Sequence, residues 1–280
     1  MNLPGTDASA LLMTYRRIVL NRNTARALFN PFNWIQLAQY EVRIRDTKKH
    51  VRRIGKYKEI GQGFEAEVAQ LLGGAGAGAT AYLRELDGDR EVLGALDLFE
   101  RRLGTGWSAC LDQAQASFLY ALIRAYKLQT IVETGVWHGF TTLFMLDALA
   151  KNNGGKLYSI DLPPLDLMSI SLESGWIIPQ ELRTRWSLLR GTSRKLLNPL
   201  LDDLGEIDLF MHDGEHTYAA MKFEYESSWK HLRRGGFLLS HDINGNDAFL
   251  EFAEEHGTPF TVIPPPKEQE LGSLGIMRKP

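Results

Sequence analysis

The spacing of hydrophobic positions along this chain changes near residue 106. Before that point, apolar residues recur with the period of amphipathic helices, over residues 11–21, 32–47, 63–72 and 79–86. After it, short apolar runs alternate with longer amphipathic segments, an order that predicts a parallel sheet covered by helices. We therefore expect a helical N-terminal extension over residues 1–105 and an α/β unit over residues 106–280.

Five apolar runs in the second part predict strands, and each run ends in polar residues. The runs cover residues 130–133, 156–160, 185–190, 207–211 and 236–240. Open α/β sheets bind ligands beyond the carboxyl ends of their strands. The polar residues that follow these runs are therefore the candidate binding site.

The turn after the first run carries the pattern Glu-x-Gly-x-x-x-Gly, formed by Glu133, Gly135 and Gly139. Glycine allows the backbone to turn and to approach a ligand closely. The following run, residues 140–149, predicts a helix whose free N–H groups face the turn. The glycine spacing differs from the Gly-x-Gly-x-x-Gly of dinucleotide sites, which disfavours a nicotinamide-dependent oxidoreductase. His138, inside the turn, is expected to be solvated, with a substrate contact as the alternative.

Two further sets of polar residues are expected beside this turn. Asp161 ends the second run, where a carboxylate can accept hydrogen bonds from both ribose hydroxyls of a nucleotide. The alternative for Asp161 is an ordinary loop acid before Pro163. Ser193 and Arg194 follow the third run, beside the same crevice, where they would edge an adenine.

With these residues in this order, residues 107–280 resemble the class I S-adenosylmethionine-dependent methyltransferases. The nearest groups are the catechol-type and the macrocin-type (sugar) small-molecule O-methyltransferases. The resemblance implies a doubly wound, Rossmann-like sheet of seven mostly parallel strands, closed by an antiparallel hairpin over residues 260–263 and 275–278. It also implies S-adenosylmethionine as cofactor, bound by Glu133, Gly135, Gly139, Thr141, Asp161, Ser193, Arg194 and Asp213.

Metal-dependent relatives hold Mg²⁺ with one Asp after the fourth strand and an acidic or amide pair after the fifth. The matching residues are Asp213, His241 and Asp242, which implies a divalent metal, Mg²⁺ or Mn²⁺. Such a cation binds a substrate hydroxyl and lowers its pKa. His241 departs from the pattern because imidazole suits Zn, Mn or Fe better than Mg. The identity of the metal, and the need for one, stay open.

Two residues compete for the role of general base. His216 matches the base of the catechol-type relatives, and Glu215 matches that of the sugar-modifying ones. An imidazole with an ordinary pKa near 6.5 accepts a proton readily at neutral pH. A carboxylate would need a raised pKa or a metal-acidified substrate. We favour His216, with Glu215 as the alternative.

Composition narrows the class of protein. The 280 residues carry a net charge of −2 and one cysteine, so an intrachain disulfide and a cysteine metal cage are excluded. We expect no signal peptide, no transmembrane segment and a cytoplasmic location. The segment 43–58 is rich in Arg and Lys, with Asp46 as its only acid. It is either a solvated surface or a patch that attracts an anionic substrate or a membrane; nucleic acid is not expected.

The sequence therefore predicts an enzyme that methylates a hydroxyl of a small-molecule acceptor, with a sugar or an anionic glycoconjugate among the acceptors considered. A non-catalytic S-adenosylmethionine-binding scaffold and a hydroxylase of the same fold are the alternatives. The N-terminal extension is expected to act as a substrate lid, a contact of a homo-oligomer, or both.

Overall fold

The computed structural model describes residues 42–50, 76–103, 113–162, 173–264 and 272–280. The predicted helices over 11–21 and 63–72 and the unit boundary between 105 and 106 lie outside the described residues. So do Cys110 and the part of the basic segment from residue 51 to residue 58. Among the described helices, none is long and apolar enough to cross a membrane.

Among the described residues, a short helix over residues 42–47 is followed by three longer helices that precede the sheet: α1 (Gly76–Asp87), α2 (Arg90–Leu103) and α3 (Gln113–Tyr126). The sequence predicted α1 over residues 79–86 and did not distinguish α2. Asp89 caps the N-terminus of α2: its Oδ1 accepts hydrogen bonds from the backbone N–H groups of Glu91 and Val92, both at 3.0 Å. Such a cap satisfies amides that the first helical turn leaves without partners.

The predicted seven-stranded sheet is confirmed, with the strand order β3-β2-β1-β4-β5-β7-β6. Strands β1 to β5 run parallel, whereas β7 is antiparallel to both β5 and β6. The strands are β1 (Thr130–Thr134), β2 (Lys156–Asp161), β3 (Trp186–Arg190), β4 (Ile207–His212), β5 (Leu232–Ser240), β6 (Phe260–Ile263) and β7 (Leu274–Arg278). β5 begins four residues before the predicted run at 236 because Leu232 already pairs with Ile207 of β4.

Helices cover both faces of the sheet, as the continuous apolar runs of the central strands require. They are α4 (Phe140–Lys151), α5 (Ser193–Leu204), α6 (Tyr218–His231) and α7 (Ala248–Glu255), with short 3-10 turns at Leu182–Arg185 and Ile243–Gly245. Successive strand side chains point to opposite faces. Ile131 therefore joins the apolar cluster that includes residues of α1 to α4, and Val132 joins the cluster of α5 to α7. The N-terminal helices α1 and α2 thus share one core with the sheet.

The chain reverses its direction of winding between β1 and β4, which are adjacent in the sheet. Open α/β folds form a crevice at such a point, beyond the carboxyl ends of the strands. The turns after β1 and β4 touch there. A Cβ on Gly135 would lie 2.0 Å from the carbonyl oxygen of Asp213, and the φ of Gly135 is +85°. Only glycine permits this approach.

Candidate active site

The glycine turn between β1 and α4 is held by backbone hydrogen bonds. The Gly135 N–H donates to the Ile160 carbonyl of β2 at 2.9 Å. Gly139 has a φ of +94°, and a Cβ there would meet the Cα of Gly175 at 2.8 Å. His138 was expected to be solvated, but it is buried. Its Nδ1 accepts a 2.8 Å hydrogen bond from the Trp176 indole, which replaces a hydrogen bond to water. Burial lowers the pKa of His138 to about 4.

Glu133, at the end of β1, faces the interior beneath the turn. Its carboxyl is fully buried and accepts hydrogen bonds from Thr142 of α4 at 3.0 Å and from Ser159 of β2 at 2.6 Å. Burial, together with the charges of Asp213 and Asp161, raises the pKa of Glu133 to about 8 against the hydrogen bonds from Ser159 and Thr142. Glu133 thus ties α4 to the sheet, and its predicted contact with the cofactor stays a prediction.

Asp161 lies at the tip of β2, beside the glycine turn. Its carboxylate accepts a hydrogen bond from the Val136 N–H at 3.3 Å, and others from the Trp137 N–H and the Ser174 hydroxyl. Burial raises the pKa of Asp161, while these hydrogen bonds oppose the rise. With the Leu162 N–H as a fourth partner, these contacts engage about as many acceptor positions as a carboxylate offers. A ribose hydroxyl would have to replace or share one of them, and the predicted ribose contact of Asp161 stays a prediction.

Ser193 and Arg194, predicted to edge an adenine, contact α6 in this structure. The Ser193 hydroxyl hydrogen-bonds Glu224. The Arg194 guanidinium donates to the Ala219 carbonyl at 3.2 Å and lies 5.0 Å from the centre of the Phe223 ring. Their role at the adenine stays a prediction. To fill it, Ser193 and Arg194 would have to contact the adenine while keeping these contacts with α6.

Beyond the tips of β4 and β5, four side chains form what we call the histidine–aspartate cluster: Asp213, His216, His241 and Asp242. The His241 Nδ1 lies 3.1 Å from Asp213 Oδ1. The His216 Nε2 lies 3.6 Å from Asp242 Oδ2 and 3.9 Å from Asp213 Oδ1. The structure thus brings together all three predicted metal ligands and the favoured base.

The backbone fixes the directions of these side chains. The Asp213 N–H donates to the Thr134 carbonyl of β1 at 2.8 Å, and the His241 N–H donates to the His212 carbonyl at 2.9 Å. Thr141, in the first turn of α4, donates to Asp213 Oδ2 at 3.3 Å. Asp242 has a φ of +54°, a left-handed conformation that is uncommon for residues other than glycine. Such positions cluster at functional sites.

The two candidate bases have different surroundings. Glu215 forms an ion pair with Arg43, and its Oε1 also accepts a 2.7 Å hydrogen bond from Thr217. The buried Nδ1 of His216 has no hydrogen-bond partner among the described residues. Burial lowers the pKa of His216, although Asp242 and Asp213 partly oppose this. His216 is therefore neutral at neutral pH.

A buried group behind the cluster was not expected from the sequence. Glu224 of α6 accepts from Thr134 at 2.6 Å and lies 2.7 Å from the Nδ1 of His212. Burial alone would raise the pKa of Glu224, but the charge and hydrogen bond of His212 lower it. The His212 ring meets the His216 ring edge-on, with centroids 5.2 Å apart. A single glutamate on a helix usually faces solvent, so the sequence carried no signal for this inward position.

The histidine–aspartate cluster fits a divalent metal. Ligand atoms 2.0–2.2 Å from one ion lie roughly 3–3.6 Å from each other. Of the four donor-to-donor distances around the cluster, those of 3.1 and 3.6 Å lie within this range, and the other two, both 3.9 Å, are slightly longer. Imidazole nitrogens with carboxylate oxygens favour Zn, Mn or Fe over Mg²⁺.

Residues 132–243 match the family model described as a methyltransferase domain. This segment of the chain is similar to a methyltransferase domain. It spans the glycine turn, Asp161 and the whole histidine–aspartate cluster. No curated protein matches the chain.

Solved structures of three proteins share the fold of this methyltransferase domain. The cofactor-bound Rv0187 from MTB has a TM-score of 0.54 at 14% identity, covering 68% of this chain and 90% of its own. The O-methyltransferase TomG from Streptomyces achromogenes, in complex with SAM, has a TM-score of 0.53 at 15% identity, covering 69% and 91%. The Bacillus cereus O-methyltransferase, in complex with SAH, has a TM-score of 0.52 at 14% identity, covering 68% and 91%.

At these identities, the likeness shows the fold alone. Together with the domain match, it confirms the predicted class I S-adenosylmethionine-dependent methyltransferase. The acceptor and the metal are not given by either comparison.

Proposed function

We propose that the protein transfers a methyl group from S-adenosylmethionine to a hydroxyl of a small molecule, a class that includes sugars. One observation carries this proposal: the histidine–aspartate cluster lies directly against the glycine turn of the methyltransferase domain. A binding protein without chemistry would need the turn but not four converging ionisable side chains.

The cofactor side of the crevice has groups suited to S-adenosylmethionine. Asp161 would accept hydrogen bonds from the ribose hydroxyls, and Thr141 with the N-terminus of α4 would meet the methionine carboxylate. When bound, the cofactor supplies an activated methyl group. The chain's task is to orient the acceptor oxygen in line with that methyl group, which supplies a large part of the rate enhancement.

His216 is the better proton acceptor of the two candidates. Its ring is neutral, and its Nε2 faces Asp242 and Asp213, which would stabilise the imidazolium that forms when it takes the hydroxyl proton. Glu215 is less available, because Arg43 and Thr217 both hold its carboxylate.

Asp213, His241 and Asp242 would hold a divalent metal. Bound there, the ion would act as a Lewis acid that lowers the pKa of the acceptor hydroxyl. The imidazole of His241 supports Mn²⁺, Zn²⁺ or Fe²⁺ rather than Mg²⁺. Tryptophan fluorescence during titration with each metal, with and without chelator, tests the preference independently of turnover.

The test of this function is Asp213→Asn. This change removes a charge that both histidines approach, so turnover to S-adenosylhomocysteine should fall by about 10²-fold or more, while calorimetry should still detect S-adenosylhomocysteine binding. Asp202→Asn is the control, because Asp202 is exposed on α5. Full activity of Asp213→Asn would remove the mechanism.

A hydroxylase is the second candidate function, because one observation favours it. Donor atoms of Asp213, His216 and His241 lie within 4.8 Å of one another, and two histidines with one carboxylate are the ligand set of non-haem iron oxygenases. The two functions differ in their products. Oxygen uptake that depends on Fe²⁺ without formation of S-adenosylhomocysteine would favour the hydroxylase.

A further inference from the structure

We propose that Arg43 determines acceptor specificity by binding an anionic group, a carboxylate or a phosphate, on the molecule to be methylated. The proposal rests on the proposed methyl transfer and adds the chemical class of the acceptor. It is carried by the way residues 42–50, the N-terminal segment, dock beside the histidine–aspartate cluster.

The N-terminal segment is fixed to the turn between β4 and α6 by specific contacts. The Thr47 hydroxyl accepts a hydrogen bond from the Tyr218 N–H at 3.0 Å and donates to the Arg43 carbonyl at 2.8 Å. The His50 ring stacks on the Tyr218 ring, with centroids 3.6 Å apart and planes 10° apart. The His50 carbonyl accepts from the Asp247 N–H, beyond β5, at 2.7 Å. The segment therefore spans the turns that follow β4 and β5.

These contacts place the Arg43 guanidinium at the edge of the cluster. Its Nε donates to Glu215, the neighbour of His216, and the Arg43 side chain is 29% exposed. Within the described part of the chain, no hydrogen bond or ion pair engages either Nη group of Arg43. A guanidinium has five donors in a planar fork, so the pair with Glu215 leaves most of them free for a ligand.

The local charges explain why an acceptor with an anionic group would need Arg43. Three carboxylates, Asp213, Glu215 and Asp242, lie at this edge of the sheet and would repel an anion when no metal is bound. A divalent metal held by Asp213 and Asp242 would offset their charges but would leave that of Glu215. Among the described residues, Arg43 is the cation in ion-pair contact with the turn after β4. Its fork matches the two oxygens of a carboxylate or phosphate.

The Glu215 contact prepares Arg43 for this role. A free arginine side chain loses conformational entropy when it binds a ligand. Arg43 is already oriented by Glu215, and Glu215 is in turn oriented by Thr217. If Arg43 only held Glu215 in place, its loss would affect charged and neutral acceptors alike. This difference gives the test.

The experiment compares acceptors that differ in one charge, using the full-length protein with S-adenosylmethionine. The pairs are catechol with 3,4-dihydroxybenzoate, and glucose with glucose 6-phosphate, which separate a carboxylate from a phosphate. For Arg43→Gln, the KM of the preferred anionic member should rise about 10- to 100-fold, the range of a charge-assisted hydrogen bond. The KM of its neutral partner should change less than about twofold.

Two further variants refine the comparison. Arg43→Lys keeps the charge but loses the fork, so the KM should recover only in part. Arg45→Gln removes the same charge from an exposed position of the same segment, and it should change the KM by less than about fivefold. Equal effects of Arg43→Gln on both members of a pair, or no effect on either, would overturn the proposal.

Calorimetry separates failure of this proposal from failure of the proposed function. 3,4-Dihydroxybenzoate and glucose 6-phosphate are titrated into the wild type and Arg43→Gln in the presence of S-adenosylhomocysteine. Binding that depends on Arg43 without turnover of any pair would refute methyl transfer and support the anion site. Binding that does not depend on Arg43 would refute the anion site, whatever the turnover.

Discussion

The two sides of the crevice are built in different ways. The cofactor side consists of backbone turns and residues close together in sequence, such as Gly135 and Gly139 after β1. The acceptor side is assembled from distant parts of the chain: Arg43 pairs with Glu215 across 172 positions, and His241 meets Asp213 across 28. In the proposed function, cofactor binding would thus depend on local backbone geometry, whereas acceptor choice and chemistry would depend on side chains that only the tertiary fold brings together.

Gly135→Ala should break the cofactor side and cause the largest effect. The new Cβ would lie 2.0 Å from the Asp213 carbonyl oxygen, at a φ that alanine disfavours. We expect a loss of about 3 kcal/mol or more in the free energy of unfolding, measured by urea denaturation, and no S-adenosylmethionine binding. Gly88→Ala is the control, because no atom lies within 4 Å of its Cβ position. Wild-type cofactor affinity of Gly135→Ala would contradict the close contact of the two turns.

His216→Gln should break the acceptor side and leave the cofactor side intact. Loss of a general base lowers turnover by about 10²- to 10⁴-fold. Calorimetry should find the S-adenosylhomocysteine affinity within about threefold of the wild type, because His216 contacts Asp242 and Asp213 rather than the glycine turn. Glu215→Gln is the matched variant, and it should retain most of the activity. A larger loss in Glu215→Gln than in His216→Gln would assign the base to Glu215.

Asp147→Asn tests how a buried carboxyl of α4, the helix that follows the glycine turn, affects the stability of the protein. Asp147 of α4 is 2% exposed, and its Oδ2 has no hydrogen-bond partner among the described residues. Burial, together with the charges of Asp89 and Glu91, raises the pKa of Asp147 to about 7 against the charge of Lys151. The folded state therefore binds the Asp147 proton more tightly than the unfolded state does, and the free energy of unfolding falls as the pH rises from about 4 to 7.

The Asn variant should lose this part of the pH dependence. At pH 8 we expect it to be more stable than the wild type by about 2 kcal/mol, measured by urea denaturation at pH 5 and pH 8. Glu133, whose pKa is raised from 4.5 to about 8, would still make stability fall across this whole range. Asp97→Asn, at an exposed position of α2, is the control. A wild-type slope in Asp147→Asn would show that Asp147 is ionised throughout.

The fold could be predicted to a large extent because its signals are local. The apolar runs located β1 to β5, the family resemblance implied β6 and β7, and the spacing of Glu133, Gly135 and Gly139 located the turn at which β1 meets β4. β7 could be expected beside β5 and β6 only from the resemblance to a family, since pairing between distant strands leaves no mark in the spacing of one sequence. The helix α2 was missed because only two residues, Gly88 and Asp89, separate it from α1. Its apolar side chains, such as Val92 and Phe99, therefore follow those of α1 almost without a break.

The candidate site could be predicted only in part. The identities of Asp213, His216, His241 and Asp242 came from their places after β4 and β5, and parallel strand ends lie at one edge of a sheet. The sequence could not indicate that Arg43 engages Glu215, because the partner of a charged residue depends on tertiary packing. This contact weakens Glu215 as the alternative base, and no pattern near residues 213–218 predicts it.

Thr47→Val should produce the smallest effect, and it tests whether the N-terminal segment belongs to the acceptor side. The change keeps the shape of the side chain but removes the oxygen that accepts from the Tyr218 N–H. The cost of a lost hydrogen bond is about 1 kcal/mol. If the N-terminal segment is part of the acceptor site, this cost should raise the acceptor KM by about fivefold and leave S-adenosylhomocysteine affinity unchanged. A Thr47→Val change that weakens cofactor binding instead would mean that the segment supports the glycine turn, and the two sides of the crevice would not be separable.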